Sequence, residues 1–125
     1  MGERRRRWPL VRRGDVYLVT LDPTIGSEAN KVRPAVIVSN NAANRTVDDS
    51  GRGVVTVVPI TSNVDRVYRF QVLVPGGVAG LSEDSKIQAE QIRSIDGRRL
   101  RQQLGRLDAK LLAELDRALV LHLDL

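Results

Sequence analysis

A series of short, β-branched apolar runs, each closed by a turn pair, constrains this chain more than any other feature. In "RRGDVYLVTLDP" (12–23) Val16, Leu18 and Thr20 point one way, and Tyr17, Val19 and Leu21 the other. A period of two is that of a strand, and Gly14-Asp15 and Asp22-Pro23 bracket it as turns. "PAVIVS" (34–39) reads as a strand buried on both faces, entered by Pro34, which a strand tolerates at its first residue. "VVTVVPIT" (54–61) and "VYRFQVLV" (67–74) follow, the latter stopped by Pro75-Gly76-Gly77. "SKIQAEQIRSI" (85–95) alternates again and ends at Asp96-Gly97. Between these runs, 24–33 reads as a polar loop and 40–53 as a loop or a short helix plus a turn. Residues 97–106 read as a short helical turn followed by an edge segment.

The period changes once, in "LDAKLLAELDRALVLHLDL" (107–125). Leu111, Leu112, Leu115, Ala118, Leu119 and His122 form one stripe, which predicts a helix over 109–122. Asp108 suits its N-cap, and Leu107 with Leu112 has the spacing of a hydrophobic staple. Short antiparallel strands followed by one helix make a β-rich α+β chain. They predict a small barrel or curled sheet with the helix across it or capping one end.

At 125 residues with 42% apolar side chains, the chain supports one domain with one core. With Trp8, Tyr17, Tyr68 and Phe70 its only aromatics, Val, Leu and Ile must fill that core. No apolar run has the length of a membrane-spanning helix, and the N-terminal arginines lead into no apolar segment of a secretory signal. The absence of cysteine excludes disulfides and thiolate metal sites and fits a cytoplasmic protein. A single histidine argues against a histidine-rich metal site. The net charge of +5 resides in residues 1–13, where six arginines face only Glu3, and the remainder is balanced. The chain therefore divides into a basic tail, 1–12, and one domain, 13–125. The tail is a flexible arm or an electrostatic aid to binding a polyanion such as RNA.

The chain has no nucleophile elbow, no phosphate-cradling Gly loop and no metal-ligand spacing. What remains is a set of polar residues at strand ends: Ser27, Glu28, Arg33, Thr61, Ser62, Asn63, Lys86, Glu90, Gln91 and Arg93. Loops at one end of a small barrel converge, so these groups can meet. An arginine binds phosphate oxygens bidentately and stays charged at any useful pH, and a threonine hydroxyl can donate beside it. Taken singly, Arg33 reads as a surface charge near Glu28, Thr61 as an ordinary β-former, and Gln91 as a solvated side chain.

Taken together, "RRGDVYLVTLDPTIGSEANKVRPAVIVSN", "VVTVVPITSN" and "KIQAEQIRSID" closely resemble the MazF/PemK-type toxins of bacterial toxin–antitoxin pairs. The match runs over 13–125 in order, spacing and turn residues. The resemblance implies an SH3-like antiparallel β-barrel of five or more strands with helices, acting as a homodimer. It implies a sequence-specific endoribonuclease that cuts single-stranded mRNA without metal or cofactor. Cleavage would proceed by 2′-OH attack, leaving a 2′,3′-cyclic phosphate and a 5′-OH. The family's catalytic pair falls on Arg33 and Thr61, and its RNA contacts on Ser27, Glu28, Ser62, Ser85 and Gln91. A MazE-type antitoxin whose C-terminal peptide covers the RNA groove is the implied partner. The general base stays open between Glu28 and a water aligned by Thr61, because arginine is too weak an acid to serve. Lys86 has no role in this pattern. The alternative is a gyrase-poisoning toxin on the same barrel, which would depend on its C-terminal residues rather than on an Arg/Thr pair.

Overall fold

The computed structural model describes residues 10–21 and 32–125. Its strands are β1 (Asp15–Thr20), β2 (Val32–Ile37), β3 (Val54–Thr61), β4 (Gln71–Val74), β5 (Ser85–Gln88), β6 (Arg93–Asp96) and β7 (Leu100–Arg106). Helix α1 (Asn41–Ser50) joins β2 to β3, and helix α2 (Ala109–Leu123) ends the chain. All pairings among these strands are antiparallel, in the order β4-β5-β3-β2-β1-β7, with β6 also on β3.

The sheet curls because β3 changes partner along its length. Val54–Val57 pair with β6, Val57–Pro59 with β2, and Ile60–Thr61 with β5. Side-chain alternation then builds two apolar layers. Val16, Val36, Val58 and Ile60 face Leu111, Leu115, Ala118 and Leu119 of α2. Tyr17, Val19, Ala35, Ile37, Val55 and Val57 face the opposite way, with Val47 of α1 and Ile95. The alternation read in the first strand is thus the one observed. So is the helical stripe, except that His122 lies exposed.

Local chemistry accounts for the element ends. Asp108 Oδ1 accepts from the Leu111 amide at 2.8 Å, capping α2 as its sequence requires. Asn40 Oδ1 accepts from the Ala43 amide at 2.8 Å and opens α1, and Gly51 closes it in the left-handed region at φ +71°. Asn44, fully buried, donates to the Ser39 carbonyl at 2.9 Å and accepts from Ser39 Oγ at 2.6 Å. Ser39 Oγ in turn accepts from the Thr56 amide, so α1 is tied to β2 and β3 by one satisfied polar network.

"RRGD" forms a clasp. Asp15 is buried; its carboxylate accepts from the Arg12 amide at 2.8 Å and from Arg106 Nη1 at 2.6 Å. Arg13 Nε donates to the Val38 carbonyl at 2.9 Å, and its Nη2 pairs with Asp116 of α2 at 2.6 Å. Gly14 donates to the Ile37 carbonyl and accepts from the Leu107 amide. The clasp therefore fastens β1 to β2, to β7 and to the start and middle of α2.

Two strand readings change. Over 67–74, only Gln71–Val74 is strand. Tyr68 instead turns the chain, its amide donating to Gln71 Oε1 at 3.0 Å and its carbonyl accepting from the Gln71 amide. Over 85–95, a 3-10 turn at Ala89–Gln91 separates β5 from β6. The break lets one stretch serve two sites on β3, which a straight strand cannot do. The ambiguous stretch resolves into a 3-10 turn at Gly97–Arg99 followed by β7 on the β1 edge.

Tyr17 is 2% exposed, and its hydroxyl has no hydrogen-bond partner among the described residues. Burial first, then the charges of Asp15 and Asp48, push its pKa up from 10.0 to about 12. The neutral phenol is the form that folding favours, so this stability is intact below pH 10 and is lost as pH rises through 12. The loss should reach about 1 kcal/mol by pH 11. Urea unfolding at pH 9 and pH 11 should show it in the wild type and not in Tyr17→Phe. At pH 9 Tyr17→Phe should be no less stable, because it removes an unpaired buried hydroxyl.

Candidate active-site cleft

A cleft of about 380 Å³ opens at the end of the sheet where β2 begins and β3 and β5 meet. Arg33 and Pro34 line it from β2, Ile60, Thr61 and Ser62 from β3 and its exit, and Ser85 from the start of β5. Leu18 and Leu104 form the apolar floor, and Gly80–Glu83 the far wall. Four side chains singled out in the sequence, Arg33, Thr61, Ser62 and Ser85, thus share one concavity.

Each is placed by its strand. Arg33 pairs across from Val19 of β1, at the mouth of β2, and is partly exposed. Thr61 is the last residue of β3, opposite Lys86. Its Oγ1 accepts from the Asn63 amide at 3.2 Å, which leaves the hydroxyl hydrogen free to donate. Ser85 is 5% exposed and donates to the Glu83 carbonyl at 2.9 Å. A guanidinium with hydroxyls around it makes an anion site suited to a phosphate.

Gln91 does not join them; it lies exposed on the 3-10 turn outside the cleft. Ser27 and Glu28 fall outside the described residues. Two groups were not assigned in advance. Glu83 lines the cleft, and only the acidic pair in "GLSEDSK" signalled it. Lys86 is 8% exposed, and its Nζ donates to the Arg66 carbonyl, tying the loop after β3 to β5. Nothing in its sequence neighbourhood announces that role.

The far wall exists because two backbones touch. Gly80 sits at φ +80°, and a Cβ there would overlap the Leu104 carbonyl of β7. A Cβ on Gly105 would come within 2.5 Å of the Ala79 carbonyl carbon. End strands β4 and β7 share no ladder; the β4–β5 connection, not a strand, abuts β7 here, and the curled sheet is barrel-like without being closed by hydrogen bonds.

The family model of "PemK-like, MazF-like toxin of type II toxin-antitoxin system" matches residues 12–123. The chain belongs to this toxin family. It is 58% identical over 116 residues to endoribonuclease MazF9 of Mycobacterium tuberculosis, covering 93% of this chain and 98% of that protein. Among solved structures, a MazE–MazF complex from Deinococcus radiodurans superposes with a TM-score of 0.73 at 28% identity, over 94% of this chain and 98% of that one. A mycobacterial endoribonuclease in complex with its cognate antitoxin gives 0.71 at 26% identity, over 91% and 95%. The toxin's curled antiparallel sheet and C-terminal helix are thus the family's fold.

Gly80 and Gly77 separate two costs in the connection between β4 and β5. Gly77, at φ +89° with open space around a Cβ, carries only the conformational one. Gly77→Ala should cost about 1 kcal/mol, and Gly80→Ala at least about 2 kcal/mol because the chain must also part from β7. Urea midpoints of the two variants would measure the difference; equal values would mean that the contact at Leu104 is dispensable.

Proposed function

We propose that this toxin is an endoribonuclease that cuts single-stranded mRNA in a sequence-specific manner, with Arg33 and Thr61 at the reacting phosphate. The observation that carries the reading is the convergence of Arg33, Thr61, Ser62 and Ser85 on one cleft, in a chain 58% identical to a protein named as an endoribonuclease. Bound RNA would place its scissile phosphate against the Arg33 guanidinium. Attack by the adjacent 2′-OH on phosphorus, its proton passing to a base, forms the 2′,3′-cyclic phosphate, and the P–O5′ bond breaks as the 5′-oxygen takes a proton from water to leave as a hydroxyl. The pentacovalent transition state carries more negative charge than the ground state, so a fixed guanidinium lowers the barrier. Thr61 donates its free hydroxyl hydrogen to a phosphoryl oxygen. Arg33 supplies positive charge at any working pH, and the reaction as written uses no metal ion.

The 2′-OH proton requires a base. Glu83 lines the cleft and joins Glu28 and an aligned water as the groups to test. The toxin acts as a homodimer in this reading and is held inactive by a MazE-type antitoxin; the complexes of its structural relatives with an antitoxin support such a partner. In this reading Arg4, Arg5, Arg6 and Arg7 add sequence-independent attraction to RNA. Among the described residues no helix is long and apolar enough to cross a membrane. The described cleft favours cleavage over gyrase poisoning, because that alternative makes no use of an Arg/Thr pair.

Arg33→Ala should lower cleavage of a labelled single-stranded RNA in EDTA by about a thousandfold while circular dichroism stays unchanged. Full activity in that variant would rule out the assignment. If Glu83 is the base, Glu83→Gln should lower kcat by about a hundredfold or more and remove the acid limb of the pH–rate profile. A Glu83→Gln enzyme with an unchanged profile would return the role to Glu28 or water.

A further inference from the structure

The loop from β3 to β4 carries an aromatic ladder that cleavage chemistry does not use. Tyr68 and Phe70 stack with ring centroids 5.4 Å apart and 2° between their planes. The Arg66 guanidinium lies over the Tyr68 ring at 5.7 Å, and its Nη1 donates to the Tyr68 hydroxyl at 3.2 Å. Phe70 is half-buried, with the His122 ring of α2 6.0 Å from its own. Tyr68 remains 45% exposed, and Arg66 and Arg69 are exposed beside it.

This loop is braced rather than loose. Lys86 holds the Arg66 carbonyl from below, and Gln71 accepts from the Tyr68 amide. Gln71 Nε2 is itself anchored on Glu90 Oε2 at 2.8 Å. Two largely buried polar side chains, Lys86 and Gln71, are thus spent on fixing one exposed turn. The aliphatic core takes up a single described aromatic, Tyr17, while the other two described aromatics go to this surface. Had packing required Tyr68, it would not stand 45% exposed. The loop leaves β3 through Thr61 and Ser62, two residues of the cleft, and Lys86, opposite Thr61, holds its Arg66 carbonyl.

Stacked aromatic faces, a guanidinium plane and further positive charge are the chemistry that holds unpaired nucleobases and their phosphates. We propose that the Arg66–Tyr68–Phe70 ladder is a stacking subsite for an unpaired base of the RNA strand, next to the phosphate that is cut. This rests on the ribonuclease reading and deepens it. A base held there by stacking is read by its π-face rather than its edge. The subsite therefore adds affinity and fixes the strand's path, and it leaves sequence choice to other contacts. Lys86 is then a positioning residue, acting through the Arg66 carbonyl.

The full-length wild type, Tyr68→Ala and Tyr68→Trp should be compared on a labelled single-stranded RNA in EDTA. A 2′-O-methyl strand containing 2-aminopurine, which cannot be cut by 2′-OH attack, would be titrated alongside by fluorescence. Tyr68→Ala should raise KM about tenfold, with a smaller effect on kcat, and should lose the 2-aminopurine quenching. Tyr68→Trp should recover both, which a merely misfolded loop would not. A wild type that cuts, beside a Tyr68→Ala protein with the same KM and the same quenching, would overturn the subsite. Unchanged RNA parameters with an altered oligomeric state in light scattering would assign the ladder to a protein contact and overturn it equally. If the wild type cuts no RNA, the ribonuclease reading fails, and the quenching still decides whether the ladder binds a base.

Discussion

The contact of Gly80 with the β7 backbone is what the candidate cleft depends on. Strands β4 and β7 lie at opposite ends of the sheet and do not pair, so hydrogen bonding alone leaves the curl open. The β4–β5 connection instead meets β7 backbone to backbone at Gly80 and Gly105, at a distance no side chain permits. The cleft lies against that seam: Gly80 and Leu104 line it together with Arg33 and Thr61. Parting the seam would remove the far wall of the cleft while leaving every strand intact.

A second constraint keeps the strands in place. Buried Asp15, with Arg12 and Arg106, fastens β1 to β7, and Arg13 reaches both β2's exit and Asp116 of α2. A carboxylate taken out of water costs several kcal/mol unless it is paired, so these bonds are required rather than merely favourable. The "RGD" of the sequence resemblance is therefore a structural signature. It holds Arg33's strand in register and takes no part in the cleft. Polar residues prominent in a motif do not all serve chemistry.

Much of the fold was legible because its signals are local. The alternation in 16–21, the turn pairs, the Asp108 cap and the leucine stripe of α2 each depend on residues a few positions apart. The misreadings arose where a competing bond won, one of them local and one set across the sheet. Gln71's bond to the Tyr68 amide unmakes the expected start of β4, and the need to pair with two sites on β3 breaks the 85–95 run. Arg33, Thr61 and Ser62 were already among the strand-end residues that a small barrel can bring together, and the family resemblance added Ser85, but only the strand register shows which of them share a cleft. Glu83 and Lys86 were harder still, since an exposed glutamate and a lysine in a strand look like ordinary solvated charges.

The sequence by itself determined the class of the chain: short antiparallel strands, one closing helix, an aliphatic core, and a charge excess confined to the first residues. Those properties follow from side-chain periodicity and composition, which need no knowledge of what lies across the sheet. Only the tertiary structure decided which strand ends share a cleft, that Lys86 is a buried brace, and that two aromatics stack on the surface. The physical reason is sequence separation. Arg33, Thr61 and Ser85 are brought together by pairing through β2, β3 and β5, and the ladder by bonds from β5 and the turn after it. Such contacts are set by register and curl, which belong to the whole sheet and to no single stretch of it.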